Sequence, residues 1–162
     1  PIYIRLAREK SPVITTEETP FRIGKAEIFY EWDKEKKHDV GIIACGQLVF
    51  QSLKIAEEYK AKGIAVKVMN LATIKPLDRE AIIRLAQETE CIVTVEEHQV
   101  HGGMGSAVAE CLVESYPVPM EFVGVQDLFG QSGTPEELLE HYGMGEGHIR
   151  TAVQDVLERK IN

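Results

Sequence analysis

The chain has 162 residues, 44% of them hydrophobic and 27% charged, a balance that supplies one ordinary core. Its formal charge of −8 offers little to a phosphate backbone or an anionic lipid, which excludes a general nucleic-acid or membrane-surface binder, and no apolar run approaches the roughly 20 residues of a membrane span. Three cysteines (Cys45, Cys91, Cys111) lack metal-ligand spacing and two lie in apolar runs, so a reducing, cytoplasmic setting is expected.

Pro1 leads at once into Ile2-Tyr3-Ile4-Arg5-Leu6, whose β-forming residues predict a strand. Domains seldom open in mid-strand; removal of a starting Met before Pro1 would account for it, as would a chain that continues from something longer or follows a separate partner. Residues 7–24 carry Pro12, Pro20 and the stretch Thr15-Thr16-Glu17-Glu18 without periodicity and predict a linker. Its length places a domain boundary within it. Residues 1–25 are therefore assigned to the end of one domain plus a linker, and 26–162 to a second domain.

Residues 26–32 alternate and predict a strand. The charged run 33–39 predicts a solvated turn, and residues 40–45 a short apolar strand, so that these two strands would pair as an antiparallel hairpin. Residues 47–62 predict a helix with Leu48, Val49, Ser52, Leu53, Ala56 and Tyr59 on one face, stopped by Gly63. A strand over 65–71 follows, then a helix over 79–89 with Asp78 as N-cap. Residues 91–95 predict a strand ending in a Glu96-Glu97-His98 turn, and 103–116 a small-residue helix. The last elements are a strand over 120–125, a helix over 135–142 opened by a Thr134/Glu137 capping box, and a helix over 147–160. Strands alternating with helices predict an α/β fold: a three-layer αβα sandwich with a mostly parallel sheet of about five strands and one antiparallel edge strand.

Three clusters are candidate sites. Gly102-Gly103-Met104-Gly105-Ser106 stands between a strand and a helix, where backbone N–H groups can cradle a phosphate. Val108 takes the third glycine place of the dinucleotide fingerprint, and the Walker lysine is missing, so tight turning and close helix packing are the better reading. Glu96, Glu97, His98 and His101 sit just past a strand's carboxyl end, where α/β folds place functional groups; a third metal ligand is not evident, and such a cluster equally suits a partner chain. Arg5 and Arg8 have the chemistry for phosphate but also for surface ion pairs.

Taken together, Tyr3-Ile-Arg-Leu-Ala-Arg8, Ile23-Gly-Lys-Ala26, Thr73-Ile-Lys-Pro-Leu-Asp78, Thr94-Val-Glu-Glu-His98, Gly102-Gly-Met-Gly105, Ser132-Gly-Thr-Pro-Glu-Glu-Leu-Leu139 and Tyr142-Gly143 resemble, in order and spacing, the C-terminal section of a transketolase. The resemblance covers nearly the whole chain. It implies an enzyme (EC 2.2.1.1) that moves a two-carbon ketol unit between sugar phosphates in the pentose phosphate pathway, using thiamine diphosphate and Mg2+ or Ca2+ bound in N-terminal domains or a separate subunit. On this reading residues 1–25 end the pyrimidine-binding domain, and the C-terminal domain supports a homodimer without binding the cofactor, so the chain is inactive alone and has no catalytic or metal-binding residues. Arg8 matches a position that binds the sugar phosphate; Glu97, His98, Gly102, Gly103 and Gly105 are expected at the interface; Arg5 matches a position without an assigned role. Deoxyxylulose-phosphate synthases and 2-oxoacid dehydrogenase β subunits share the domain. The former usually have Pro-Arg-Gly where this chain has Ile4-Arg5-Leu6-Ala7-Arg8, and the latter usually lack the His of the glutamate turn. A non-catalytic dimerisation module and a free-standing anion-binding domain are the other readings.

Overall fold

Residues 40–44 and 66–69 are buried throughout and almost wholly apolar, the pattern of strands covered on both sides. In the computed structural model, which describes residues 1–33 and 37–161, they lie at the centre of a five-stranded sheet. The elements in chain order are β1 (Glu27–Glu31), β2 (Val40–Ala44), α1 (Leu48–Ala61), β3 (Val66–Asn70), α2 (Arg79–Thr89), β4 (Ile92–Gln99), α3 (Met104–Val113), β5 (Met120–Val125), α4 (Pro135–His141) and α5 (Glu146–Ile161). The sheet order is β1-β3-β2-β4-β5, with β1 antiparallel to β3 and all other pairs parallel. The α/β class and the antiparallel edge strand are as expected.

Side-chain alternation divides the core into two layers. Val40, Ile42, Val66, Val68, Val93 and Val95 face α1 and α5, meeting Ile55, Tyr59, Ile149 and Val153. Ile43, Met69 and Ile92 face α2 and α3, meeting Ile82, Leu85, Val108 and Leu112. Helix α4 starts at the expected capping box: Thr134 accepts the Glu137 N–H, and Glu137 reaches back to the Thr134 N–H.

Three expectations are corrected. Strand β1 does not form a hairpin with β2; Glu27 partners Asn70 and Glu31 partners Lys67 on β3. Both sides of β2 are taken by parallel neighbours, β3 and β4, so its wholly buried residues sit centrally and half-buried β1 takes the edge. Of the charged run read as the hairpin tip, residues 34–36 lie outside the described residues. Secondly, residues 2–6 form no strand: they have no sheet partner among the described residues, and Ile2, Tyr3, Ile4 and Leu6 are exposed. Thirdly, β4 does not stop before a Glu-Glu-His turn. It runs through Gln99, which partners Val125 of β5 after a register irregularity.

Residues 1–26 carry no helix or strand, but their end is fastened to the sheet. The Gly24 N–H donates to Thr73 Oγ1 at 3.0 Å, and the Ala26 N–H to Asp78 Oδ2 at 3.0 Å. Buried Asp78 also caps α2 through the Ala81 N–H. One carboxylate thus ties linker to helix, which explains the joint presence of the 23–26 and 73–78 motifs.

Candidate functional site

Strands β2 and β4 are parallel neighbours whose outgoing helices leave on opposite faces, α1 on one and α3 on the other. Where connections diverge in this way a crevice opens beyond the carboxyl ends of the strands, the usual ligand position of open α/β sheets. At this point Gln47, following β2, meets Glu97 of β4 through a side-chain hydrogen bond. The start of α3 is bonded to Glu96 of β4, and Arg5 reaches the Glu97 carbonyl from the N-terminal segment.

Glu96 is the best-held of these side chains. It is 1% exposed, and its two carboxylate oxygens accept the backbone N–H groups of Met104 and Gly105, each at 2.7 Å. The first N–H groups of a helix lack intrahelical partners and favour negative charge. At α3 the chain's own carboxylate meets that need, so the glycine loop is built for internal closure and not as a phosphate cradle. A Cβ on Gly103 would collide with the Gln99 carbonyl and with Glu96 Oε2, and one on Gly105 would lie 2.7 Å from Thr94 Oγ1. Gly102 takes φ +76°, a conformation that glycine adopts without strain, and its N–H donates to Ser106 Oγ at 3.0 Å.

Glu97 is half-buried and points back toward β2, where its carboxylate accepts the side-chain amide of Gln47. Its backbone carbonyl accepts a 2.7 Å hydrogen bond from an Arg5 guanidinium nitrogen. The Cys45 thiol beneath has its pKa pushed up to about 12, chiefly by burial, with Glu96 and Glu97 adding to it and Arg5 opposing. Burial thus disfavours the reactive thiolate form at this position. His98 is half-exposed; its Nδ1 lies 2.9 Å from the Gln99 carbonyl oxygen and 4.0 Å from Glu96 Oε2. His101 is exposed. Among the described residues no group of three or more His, Cys, Asp or Glu is arranged to hold a metal ion, so His98 and His101 are not gathered into a metal site. Arg8 stands apart: its side chain is 92% exposed and pairs with Glu9, at 3.1 Å.

Glu96, Glu97, His98 and the glycine loop therefore lie together at one end of the sheet, joined by Arg5, while Arg8 projects elsewhere. Sequence reasoning did not single out Gln47 or the inward role of Glu96. The signal for Glu96 was present: Thr94 and Glu96 share a strand face, and that face receives a glycine-rich helix start.

The Transketolase, C-terminal domain family model matches residues 24–149. The chain is 43% identical over 160 residues to the 6-deoxy-6-sulfo-D-fructose transketolase subunit of a Clostridium species, covering 99% of this chain and 48% of that protein. It is 37% identical over 158 residues to an apulose-4-phosphate transketolase subunit of Phocaeicola vulgatus, covering 96% of this chain and 49% of that protein. Among solved structures, "Split gene transketolase, inactive beta4 tetramer" superposes with a TM-score of 0.86 and 40% identity over 94% of this chain and 48% of that one. The chain thus spans about half the length of the relatives it matches. With the family model matching most of the chain and a relative 43% identical over nearly all of it, the chain belongs to the transketolase C-terminal domain family.

Proposed function

We propose that this chain is the C-terminal part of a transketolase that supports assembly of the enzyme and is not catalytic alone. The complete enzyme, on this reading, moves a two-carbon ketol unit between sugar phosphates (EC 2.2.1.1), with thiamine diphosphate and Mg2+ or Ca2+ held by N-terminal domains or a separate N-terminal subunit. The observation that carries the division of labour is Glu96. The helix start that could have taken a diphosphate is filled by a buried carboxylate. The residues present do not fit the cofactor, and no step of the reaction is assigned to them.

Residues 1–25 end the pyrimidine-binding domain on this reading, and 26–162 form the C-terminal domain. Exposed Ile2, Tyr3, Ile4 and Leu6 support this, because an apolar β-forming segment without a sheet partner suits pairing with another domain. Arg8 takes the sugar phosphate, in keeping with an exposed guanidinium paired with its neighbour Glu9. Glu97, His98 and the loop of Gly102, Gly103 and Gly105 stand at a homodimer interface. Three free cysteines suit a cytoplasmic enzyme.

The test is reconstitution with the matching N-terminal part, loaded with thiamine diphosphate and Mg2+. Donors would be xylulose 5-phosphate and the compounds named for the relatives, 6-deoxy-6-sulfo-fructose and apulose 4-phosphate. Ketol transfer from a donor in the mixture, with none from either part alone, is the expected result. Absence of transfer from every donor would sink the reading.

A further inference from the structure

The crevice between the carboxyl ends of β2 and β4 is the place where open α/β sheets take a ligand. In this chain it is met by Arg5, a residue ninety-two positions upstream of its hydrogen-bond acceptor. The acceptor is the Glu97 backbone carbonyl, so the contact does not depend on the acceptor's side chain. The end of β4 that carries this carbonyl is held on both sides. The Glu97 carboxylate is held by Gln47 from the β2 side, and Glu96 is clamped to α3. The Arg5 residue itself stays exposed.

We propose that Arg5 is a positioning residue: it latches the N-terminal segment onto the crevice between β2 and β4 and so sets where Arg8, three residues later, is presented. The consequence for catalysis rests on the reading of Arg8 as the phosphate ligand; the latch itself does not. Residues 7–24 carry no regular structure; beyond Arg5 the next anchors on the domain are half-buried Ile14, which packs against the core layer of α1 and α5, and the hydrogen bond of Gly24 with Thr73, so Arg8 lies on the span between Arg5 and Ile14. Without Arg5 this span loses its tie to the end of β4, Arg8 must be ordered each time substrate binds, and small misplacements of a positioned group are costly.

The test has two arms. A fluorophore on a cysteine substituted for exposed Tyr3 (Tyr3→Cys) reports segment motion by time-resolved anisotropy. Arg5→Gln should free the segment and raise the amplitude of fast motion, and Arg5→Lys should partly restore it. Unchanged motion in Arg5→Gln overturns the latch whatever the chain's function. In the reconstituted enzyme, Arg5→Gln should raise KM for a phosphorylated donor by about tenfold, the scale of one lost hydrogen bond to a charged group. KM for an unphosphorylated analogue and kcat should stay near their starting values. In the Arg8→Gln background the same change should add little. A phosphorylated-donor KM that responds to Arg8→Gln but not to Arg5→Gln overturns the positioning role. If Arg8→Gln itself leaves that KM unchanged, the phosphate reading fails, and the anisotropy arm alone decides the latch.

Discussion

Glu96 accepts the backbone N–H of Gly105 at 2.7 Å, so the strand that ends at the crevice also caps the helix that leaves it. Its second oxygen takes the Met104 N–H, which leaves both of these donors dependent on one side chain. Glu96→Ala should lower stability by about 3 kcal/mol, because buried N–H groups lose charge-assisted partners and have no water to replace them. Glu96→Gln keeps one acceptor but turns an amide N–H toward a donor, and should cost about 2 kcal/mol. Urea unfolding of the three proteins measures both; equal stability would mean that water reaches the α3 start.

Substitution at the glycines around that carboxylate should separate crowding from backbone strain. Gly105→Ala pushes a methyl against Thr94 and Phe122 and should cost about 1–3 kcal/mol, the usual range for overpacking. Gly103→Ala meets a backbone carbonyl and the clamped carboxylate, neither of which can swing aside, and should be worse. Gly102→Ala meets nothing within 4 Å and should cost only the strain of its positive φ, about 1 kcal/mol. Thermal unfolding should place Gly103→Ala lowest, Gly105→Ala next and Gly102→Ala nearest the parent.

His38 makes stability sensitive to mild acid. It is buried, and among the described residues its Nε2 has no hydrogen-bond partner; Glu31 Oε1 lies 3.9 Å away. Burial pushes its pKa below the usual imidazole value and the Lys67 ammonium adds to this, against the pull of Glu31, Glu88 and Asp39. The unfolded chain therefore takes up this proton more readily than the folded one, starting near pH 6.5. Stability contributed by neutral His38 is present above that pH and is lost as pH falls through the lower folded value. His38→Gln should remove part of the stability decline between pH 7.5 and 5.5 in urea melts. An unchanged slope would show that other groups carry it.

The cysteines should be slow toward thiol reagents at pH 8. Burial pushes Cys45 up to about 12 and Cys91 up to about 11, and raises Cys111 as well. Thiolate is the reactive species, so little of it is available until the chain unfolds. Titration with an aromatic disulfide should show a slow phase in buffer and fast release of all three thiols in urea. A rapid burst in buffer would contradict the burial of these groups.

Glu97 and His98 give the proposed homodimer its simplest test. Changing Glu97→Lys together with His98→Ala should shift the dimer–monomer equilibrium of the chain about tenfold toward monomer, the effect of losing one moderate interface contact. Sedimentation velocity across a concentration series reads the shift. Identical association in variant and parent would remove both residues from the interface.

The parts of the fold written in local chemistry were readable in advance. Thr134 and Glu137 announced α4, Asp78 announced α2, and the runs at 40–44 and 66–69 announced buried strands. Pairing was less visible, because a strand's alternation says which face is inward and nothing about which neighbour it meets. Strand β1 could satisfy its pattern beside β2 or β3; what decides is that β2 is flanked on both sides by parallel partners. The extension of β4 through Glu97 and His98 was hidden for a related reason, since backbone pairing with β5 is indifferent to side-chain polarity. At the site, alternation would have assigned Glu96 to the same inward face as Thr94 and left Glu97 for the crevice. Arg5 lay beyond such reasoning, as only the tertiary fold brings its guanidinium to residue 97.

The placement of β1 has a consequence for synthesis on the ribosome. Its partner on β3 ends at Asn70, so the first strand of the sheet emerges well before anything it can pair with. During that interval β2, α1 and β3 must appear and close a crossover whose contacts are more local than those of β1 with β3. The exposed edge of the nascent strand is then a hazard, and its two acidic ends, Glu27 and Glu31, are the kind of charge that discourages wrong pairing. Glu31 does not stay idle once β3 arrives. It meets buried Lys67 at 2.5 Å, so the charge that guards the waiting strand later marks its register.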